Sequence, residues 1–88
     1  MVTKEEKQRQ LRQAQDKFLR QMAAYSNEGK TVRARQAREL IEQYASYKSH
    51  IDEIWKNVTL NEYIVDIGNG NYRISTRGVR EINEYAQP

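Results

Sequence analysis

The sequence predicts a mainly helical α+β fold in a single domain over residues 1–88. We expect a long antiparallel helical hairpin, then a two-stranded β-hairpin and a short C-terminal helix. Two long segments repeat apolar residues at helical spacing, and a third alternates them at strand spacing around the tetrapeptide GNGN. A chain of 88 residues is too short for a second independent core.

The first predicted element is a helix over residues 3–27. This segment contains neither glycine nor proline, and its apolar side chains from Leu11 to Tyr25 lie on one helical face. The pentapeptide SNEGK follows, where Gly29 is placed to adopt the left-handed conformation that ends many helices.

The second predicted element is one continuous helix over residues 31–58, with Thr31 as its N-cap. Apolar residues follow a heptad pattern from Ala37 to Val58 that only Lys48 interrupts, as in a coiled coil. Such a helix is about 40 Å long and pairs with the first helix across a short turn. A second interpretation stays open, in which a turn around Ser46 divides the segment into a helix-turn-helix.

The third element is a β-hairpin over residues 62–75. Asn69 and Gly70 favour a two-residue turn, because both central positions of that turn need positive φ. This turn sets Asp66 opposite Arg73 and Val65 opposite Ile74. One face of the hairpin then carries the apolar side chains Tyr63, Val65, Ile67, Tyr72 and Ile74.

A last helix is expected over residues 76–86, capped by Ser75 or Thr76. Gly78 lies in its first turn, where glycine is unfavourable for a helix. Two explanations are open for Gly78: it lets a DNA backbone approach, or it relieves crowding where the helix crosses the hairpin.

Charge is distributed unevenly along the chain. Residues 1–38 carry ten Lys/Arg against four Asp/Glu, a net of +6, whereas residues 39–88 carry five against eight, a net of −3. This asymmetry suggests either a polyanionic partner or head-to-tail contact with another copy of the chain. Arginines also surround the start of the last helix, where backbone N–H groups favour a phosphate. The predicted nucleic-acid contacts are Lys17, Arg20, Lys30, Arg33, Arg35, Arg38, Arg73, Arg77 and Arg80.

The segment YRISTRG, Tyr72 to Gly78, resembles the Tyr-Arg-Leu-Thr-x-x-Gly segment that closes the wing of many winged-helix transcription regulators. The resemblance implies that the helix before the wing enters the major groove and that the wing contacts the adjacent backbone. No strand is predicted ahead of the helices. The residues that the resemblance would place near DNA are Tyr47, Lys48, Ser49, His50 and Lys56, with Asn69, Asn71 and Arg73 on the wing.

The residues that could carry chemistry do not form a recognisable active site. Ser46, His50 and Glu53 would share one face of the continuous helix, but an exposed helix offers neither a pocket nor oxyanion donors. The chain has no cysteine and one histidine, so a metal site is not expected. We therefore expect no enzyme activity, cofactor or small-molecule substrate. A cytoplasmic protein with no membrane segment is expected.

Two functions are compatible with these features. The first is a small nucleic-acid-binding regulatory protein, a homodimer that contacts duplex DNA through a cationic helix surface. The alternative is a protein-protein interaction module, such as an adaptor, inhibitor or assembly factor. That module would present the part of its long amphipathic helix that the shorter first stripe leaves uncovered.

Overall fold

A computed structural model describes residues 3–86 and confirms the mainly helical α+β fold. Four helices, α1 (Lys4–Asn27), α2 (Ala34–Tyr44), α3 (Lys48–Leu60) and α4 (Thr76–Ala86), surround one core within these residues. Three short strands, β1 (Val32–Arg33), β2 (Ile64–Asp66) and β3 (Asn71–Ile74), form an antiparallel sheet in the order β1-β3-β2. None of the helices in the described range has the length and apolar character needed to cross a membrane.

Helix α1 matches its predicted bounds. The Thr3 hydroxyl caps it by accepting a hydrogen bond from the Glu6 backbone N–H at 3.1 Å. Gly29 follows the helix with φ of 73°, and the Lys30 N–H donates to the Tyr25 carbonyl at 2.8 Å. The apolar face of α1 supplies the centre of the core, including Phe18 and Leu19, which are fully buried.

The predicted continuous helix over residues 31–58 is wrong. Thr31 is not a cap, because the chain first enters strand β1, and the helix then stops at Tyr44. Extended backbone at Ala45 and Tyr47 (ψ of 138° and 150°) turns the chain before α3 begins. The divided helices bury Ala37, Ile41, Ile54 and Val58 in one core together with the apolar face of α1.

The heptad pattern did not reveal this break because apolar residues continue at helical spacing on both sides of the turn, although α3 buries His50 and Ile54 rather than the predicted Ile51 and Trp55. Periodicity predicts which side chains face the core. It does not show whether the backbone between them forms one continuous helix. Residues 45–47 also contain no glycine or proline. After the break, the His50 backbone N–H donates a hydrogen bond to the Tyr47 carbonyl at 3.0 Å.

The β-hairpin is present, but its predicted register is wrong by one residue. Ile64 pairs with Ile74, Val65 with Arg73 and Asp66 with Tyr72. The loop has three residues, Gly68–Gly70, all with positive φ, and the Asp66 carboxylate accepts a hydrogen bond from the Gly68 N–H at 2.7 Å. This register places the two isoleucines over the core, so burial outweighs the two-residue turn that Asn69-Gly70 favours.

Helix α4 begins at a tightly packed corner. The Ser75 hydroxyl accepts a hydrogen bond from the Gly78 N–H at 3.1 Å, so Ser75 rather than Thr76 is the cap. A Cβ atom at Gly78 would clash with the Tyr63 carbonyl oxygen and lie 2.5 Å from Ile74 Cγ1. Of the two explanations for Gly78, the structure therefore supports the relief of crowding between α4 and the hairpin.

Candidate nucleic-acid interface

The observed register gives the sheet a polar outer face. Arg33 lies opposite Asn71 across β1 and β3, and Arg73 lies two residues further along β3 on the same side. Val65 is paired with Arg73 and shares this side, whereas Val32, Ile64 and Ile74 on the other side are buried. We call the residues on the solvent side the outer sheet face; they are Arg33, Val65, Ile67, Asn71 and Arg73.

Helix α2 starts at the tip of the hairpin. The Ala34 N–H donates to the Gly70 carbonyl at 3.3 Å, and the Arg33 N–H donates to the Gln36 side-chain oxygen at 3.2 Å. Strand β1, which was not predicted, therefore brings the cationic stretch 33–38 to the hairpin. The positive end of the α2 dipole therefore lies at the hairpin tip, while the Arg35 side chain pairs with Glu39 at 3.4 Å.

Arg33 and Arg73 differ from most cations of the chain because no carboxylate within residues 3–86 forms an ion pair with them. Both side chains belong to exposed residues. Each therefore keeps a hydrated charge that is available to an anion. Across the same residues, the other cations without an ion pair are Lys4, Lys17, Lys48, Lys56 and Arg80.

The predicted cations on and after α1 lie elsewhere. Lys17 and Arg20 occupy the exposed side of α1, opposite the buried positions through which that helix packs on the rest of the fold. Arg20 is bound to Asp16 at 2.8 Å, and Lys30 to Glu28 at 3.0 Å. Because α1 packs against the inner side of β3, its exposed side and the outer sheet face point in opposite directions.

The predicted arginines of α4 lie among carboxylates. Arg77 is 4.0 Å from the Glu62 carboxylate, and Arg80 lines a shallow cleft together with Glu81 and Glu84. The first turn of α4 is capped by Ser75 and packed on the hairpin through the buried Gly78. The structure thus separates Arg77 and Arg80 from Arg73, although the three are close in sequence.

Helix α3 has a mixed charged surface. Of the α3 residues that the winged-helix resemblance would place near DNA, Lys48, Ser49 and Lys56 are exposed, as is the neighbouring Asp52. His50 is the exception. It is 2% exposed and packs edge-on against the half-exposed Tyr47 ring, with centroids 5.1 Å apart, so it cannot contact a ligand at the surface.

Four side chains link the sheet to the surface of α3 in a contact that was not predicted. Tyr72 of β3 meets the Trp55 ring edge to face, with centroids 5.3 Å apart. The Arg38 guanidinium of α2 lies 5.8 Å above that Trp55 ring, and it binds the Asp52 carboxylate at 2.5 Å. We call Tyr72, Trp55, Arg38 and Asp52 the junction cluster. Helical spacing cannot find it, because its members come from three elements.

The residues considered for catalysis do not assemble. Ser46 lies in the turn between α2 and α3, His50 is buried, and Glu53 is held by Lys7 at 3.1 Å. In the described part of the chain, no group of histidine, cysteine and acidic side chains has the spacing of a metal site.

The cleft between α1, α3 and α4 has a volume of about 310 Å³, and its carboxylates are already paired. Glu53 binds Lys7, and Glu81 binds Arg12 at 3.2 Å. Glu81 also accepts a hydrogen bond from the Tyr63 hydroxyl at 3.3 Å. Burial raises the pKa of the Tyr63 phenol, and the neighbouring Glu81 carboxylate raises that pKa further.

Comparisons with known proteins add no relative to these observations: no family matches the chain, and neither curated proteins nor solved structures give a match.

Proposed function

We propose that this chain is a small non-enzymatic regulatory protein that binds duplex DNA through the outer sheet face and helix α3. One observation carries the proposal: Arg33 and Arg73, from separate strands, project from one exposed sheet face without an ion-pair partner in residues 3–86. Two cations that share one exposed face neutralise phosphates of a bound duplex. Such phosphate contacts supply most of the affinity of non-specific DNA binding.

The order of the elements supports a winged-helix mode of binding. The chain runs helix, strand, helix, helix, strand, strand, helix, and the turn 45–47 separates α2 from α3 as in a helix-turn-helix. The hairpin β2–β3 follows α3 directly. In this mode α3 is the recognition helix and its first turns face base edges, while the hairpin is the wing that contacts the backbone.

The charges around α3 are compatible with an approach of DNA. Its two exposed acids are each compensated by a cation from another helix: Asp52 by Arg38 and Glu53 by Lys7. Lys48 and Lys56 have no ion pair in the described residues. The exposed side of α3 therefore carries two uncompensated lysines, and its acids are already paired.

The alternative, a protein-protein interaction module, loses the observation that favoured it. That hypothesis needed an apolar stripe left over on a long helix. In the two shorter helices Ala37, Ile41, Ile54 and Val58 are buried, and Leu40, Tyr44, Ile51 and Trp55 are partly buried against them, whereas Tyr47 stays half-exposed. A homodimer and a cytoplasmic location remain predictions of the DNA-binding proposal, and light scattering on the purified protein measures the first of them.

The test compares two double variants with equal loss of charge. R33Q/R73Q removes the two arginines of the outer sheet face, and R77Q/R80Q removes two arginines of α4. Fluorescence anisotropy measures the affinity of each for a random-sequence DNA duplex at two salt concentrations. For the wild type we expect affinity to fall steeply as salt rises.

We expect R33Q/R73Q to bind about tenfold more weakly at low salt and to lose about two units of the logarithmic salt slope. R77Q/R80Q should stay within about twofold of the wild type, because phosphates do not reach a surface lined with carboxylates. A flat salt dependence of the wild type would rule out the proposal. Equal weakening of both variants would show that net charge, rather than the outer sheet face, drives binding.

A further inference from the structure

We infer that Asp52 is a specificity-determining residue that accepts a hydrogen bond from the amino group of a cytosine in the major groove. This inference rests on the proposed function. It concerns which base the protein prefers, whereas the arginines of the outer sheet face concern how strongly any duplex binds.

The position of Asp52 makes it available to a base. It lies in the second turn of α3, on the exposed side that also carries Ser49 and Lys56. Its side chain is 78% exposed although it forms an ion pair. Arg38 binds Oδ1, and no donor within residues 3–86 forms a hydrogen bond with Oδ2, so one carboxylate oxygen remains open to solvent.

The orientation of the Asp52 carboxylate is set by the rest of the junction cluster. Arg38 reaches it from α2 while its guanidinium lies over the Trp55 ring, and that ring is held edge to face by Tyr72. A side chain that is oriented before binding loses less entropy when it forms its contact. The Arg38 charge also offsets the repulsion that a bare carboxylate would experience near phosphates.

The chemistry of the carboxylate selects the base. An ionised aspartate only accepts hydrogen bonds, so it is repelled by the N7 and O6 acceptors of guanine and by O4 of thymine. Cytosine presents the N4 amino donor without an acceptor of its own on the same edge. Adenine presents its N6 donor beside the N7 lone pair, which disfavours a carboxylate. Cytosine is therefore the base that fits.

The test is a selection of bound duplexes from a randomised DNA pool, carried out with wild type, D52N and E53Q. We expect the wild type to enrich one position for cytosine by about tenfold over the other bases. An asparagine amide both donates and accepts, so D52N should shift the preference at that position towards adenine. D52N should fold normally because Asp52 is exposed, and thermal unfolding checks this.

E53Q is the matched control. Glu53 is the neighbouring acid, but it is bound to Lys7 of α1 rather than to the junction cluster, so we expect E53Q to select the same sites as the wild type. A further variant, R38M, should weaken the cytosine preference and leave the other selected positions unchanged, because Arg38 acts as a positioning residue. A general loss of affinity at unchanged preference would contradict this role.

Each outcome decides between the two proposals. If the wild type binds duplex DNA but enriches no cytosine, or if D52N selects the same bases as the wild type, the inference about Asp52 is overturned and the DNA-binding proposal stands. If the wild type does not bind duplex DNA at any salt concentration, the proposed function fails and the inference fails with it.

Discussion

The two ends of the β2–β3 hairpin are built differently. At the base, Ile64 and Ile74 are buried, the Ser75 hydroxyl caps α4, and Gly78 brings that helix into contact with the hairpin backbone. At the tip, Ile67 is 51% exposed and a three-residue loop with positive φ projects away from the core.

The arginines follow the same division. At the base, Arg77 pairs with Glu62, and Arg80, although without an ion pair, lines a cleft with Glu81 and Glu84; nearer the tip, neither Arg73 nor its neighbour Arg33 has an ion pair within residues 3–86. The base of the hairpin therefore serves mainly to hold the fold together, whereas the part nearer the tip is suited to contact an anion. The number of cations in a segment therefore does not locate a binding surface, because the acids that lie beside each cation decide whether its charge is available.

The largest expected difference between base and tip concerns two isoleucines of the same hairpin. Ile64 is 2% exposed, so Ile64→Ala should lower the free energy of unfolding by about 2–4 kcal/mol through lost burial and a cavity. Ile67→Ala at the tip should change it by less than about 0.5 kcal/mol. Urea denaturation measures both, and similar costs would contradict the division.

A second effect tests the packing at the corner. Gly78→Ala should lower the free energy of unfolding by about 1–3 kcal/mol, because the added methyl group clashes with the Tyr63 carbonyl and Ile74. In an unobstructed helix the same change would stabilise by roughly 1 kcal/mol. Asn83→Ala, at an exposed position of α4, is the control and should be nearly neutral. A stabilised Gly78→Ala variant would show that the corner is loosely packed.

The cap of α4 gives a smaller effect. Ser75→Ala removes the acceptor for the Gly78 N–H and should cost about 1 kcal/mol in thermal or chemical unfolding. Thr76→Ala is matched, since Thr76 carries the neighbouring hydroxyl but lies inside the helix and is exposed. We expect a cost below about 0.5 kcal/mol there. Equal costs would mean that the hydroxyl of Ser75 is not the cap.

The smallest effect appears only at alkaline pH. Because the pKa of Tyr63 is raised above its ordinary value of about 10, the unfolded chain releases this proton at a lower pH than the folded protein. The stability that the Tyr63 phenol contributes is thus fully present below about pH 10, and it is lost as the pH rises through the pKa of Tyr63 in the folded protein. Unfolding curves over this range should decline less steeply for Tyr63→Phe. Tyr47→Phe, at an exposed site, should follow the wild type.

Much of the fold could be predicted because local signals determine it. The bounds of α1, its end at Gly29, the presence of the hairpin and the start of α4 all follow from composition, periodicity and turn residues. The division of residues 31–58 and the hairpin register could not be predicted. Both depend on which arrangement buries Ile41, Ile54, Ile64 and Ile74 together, and that is a property of the assembled core.

The candidate site was predictable only in part for a related reason. Arg33 and Arg73 were among the predicted contacts, but their proximity depends on β1, a strand of two residues that has no periodicity of its own. The sequence equally proposed Arg20, Lys30 and Arg35, which the structure shows bound to Asp16, Glu28 and Glu39. The ion pairs on the folded surface therefore distinguish predicted cationic contacts that amino-acid composition alone cannot tell apart.

The position of Trp55 has a practical consequence. It is the only tryptophan of the chain, and it lies between the tyrosine ring of β3 and the guanidinium of α2. Its intrinsic fluorescence therefore reports on the place where hairpin and helices meet. Emission wavelength and quenching by iodide can test in real time whether an added duplex reaches this place, without attaching a dye to either molecule.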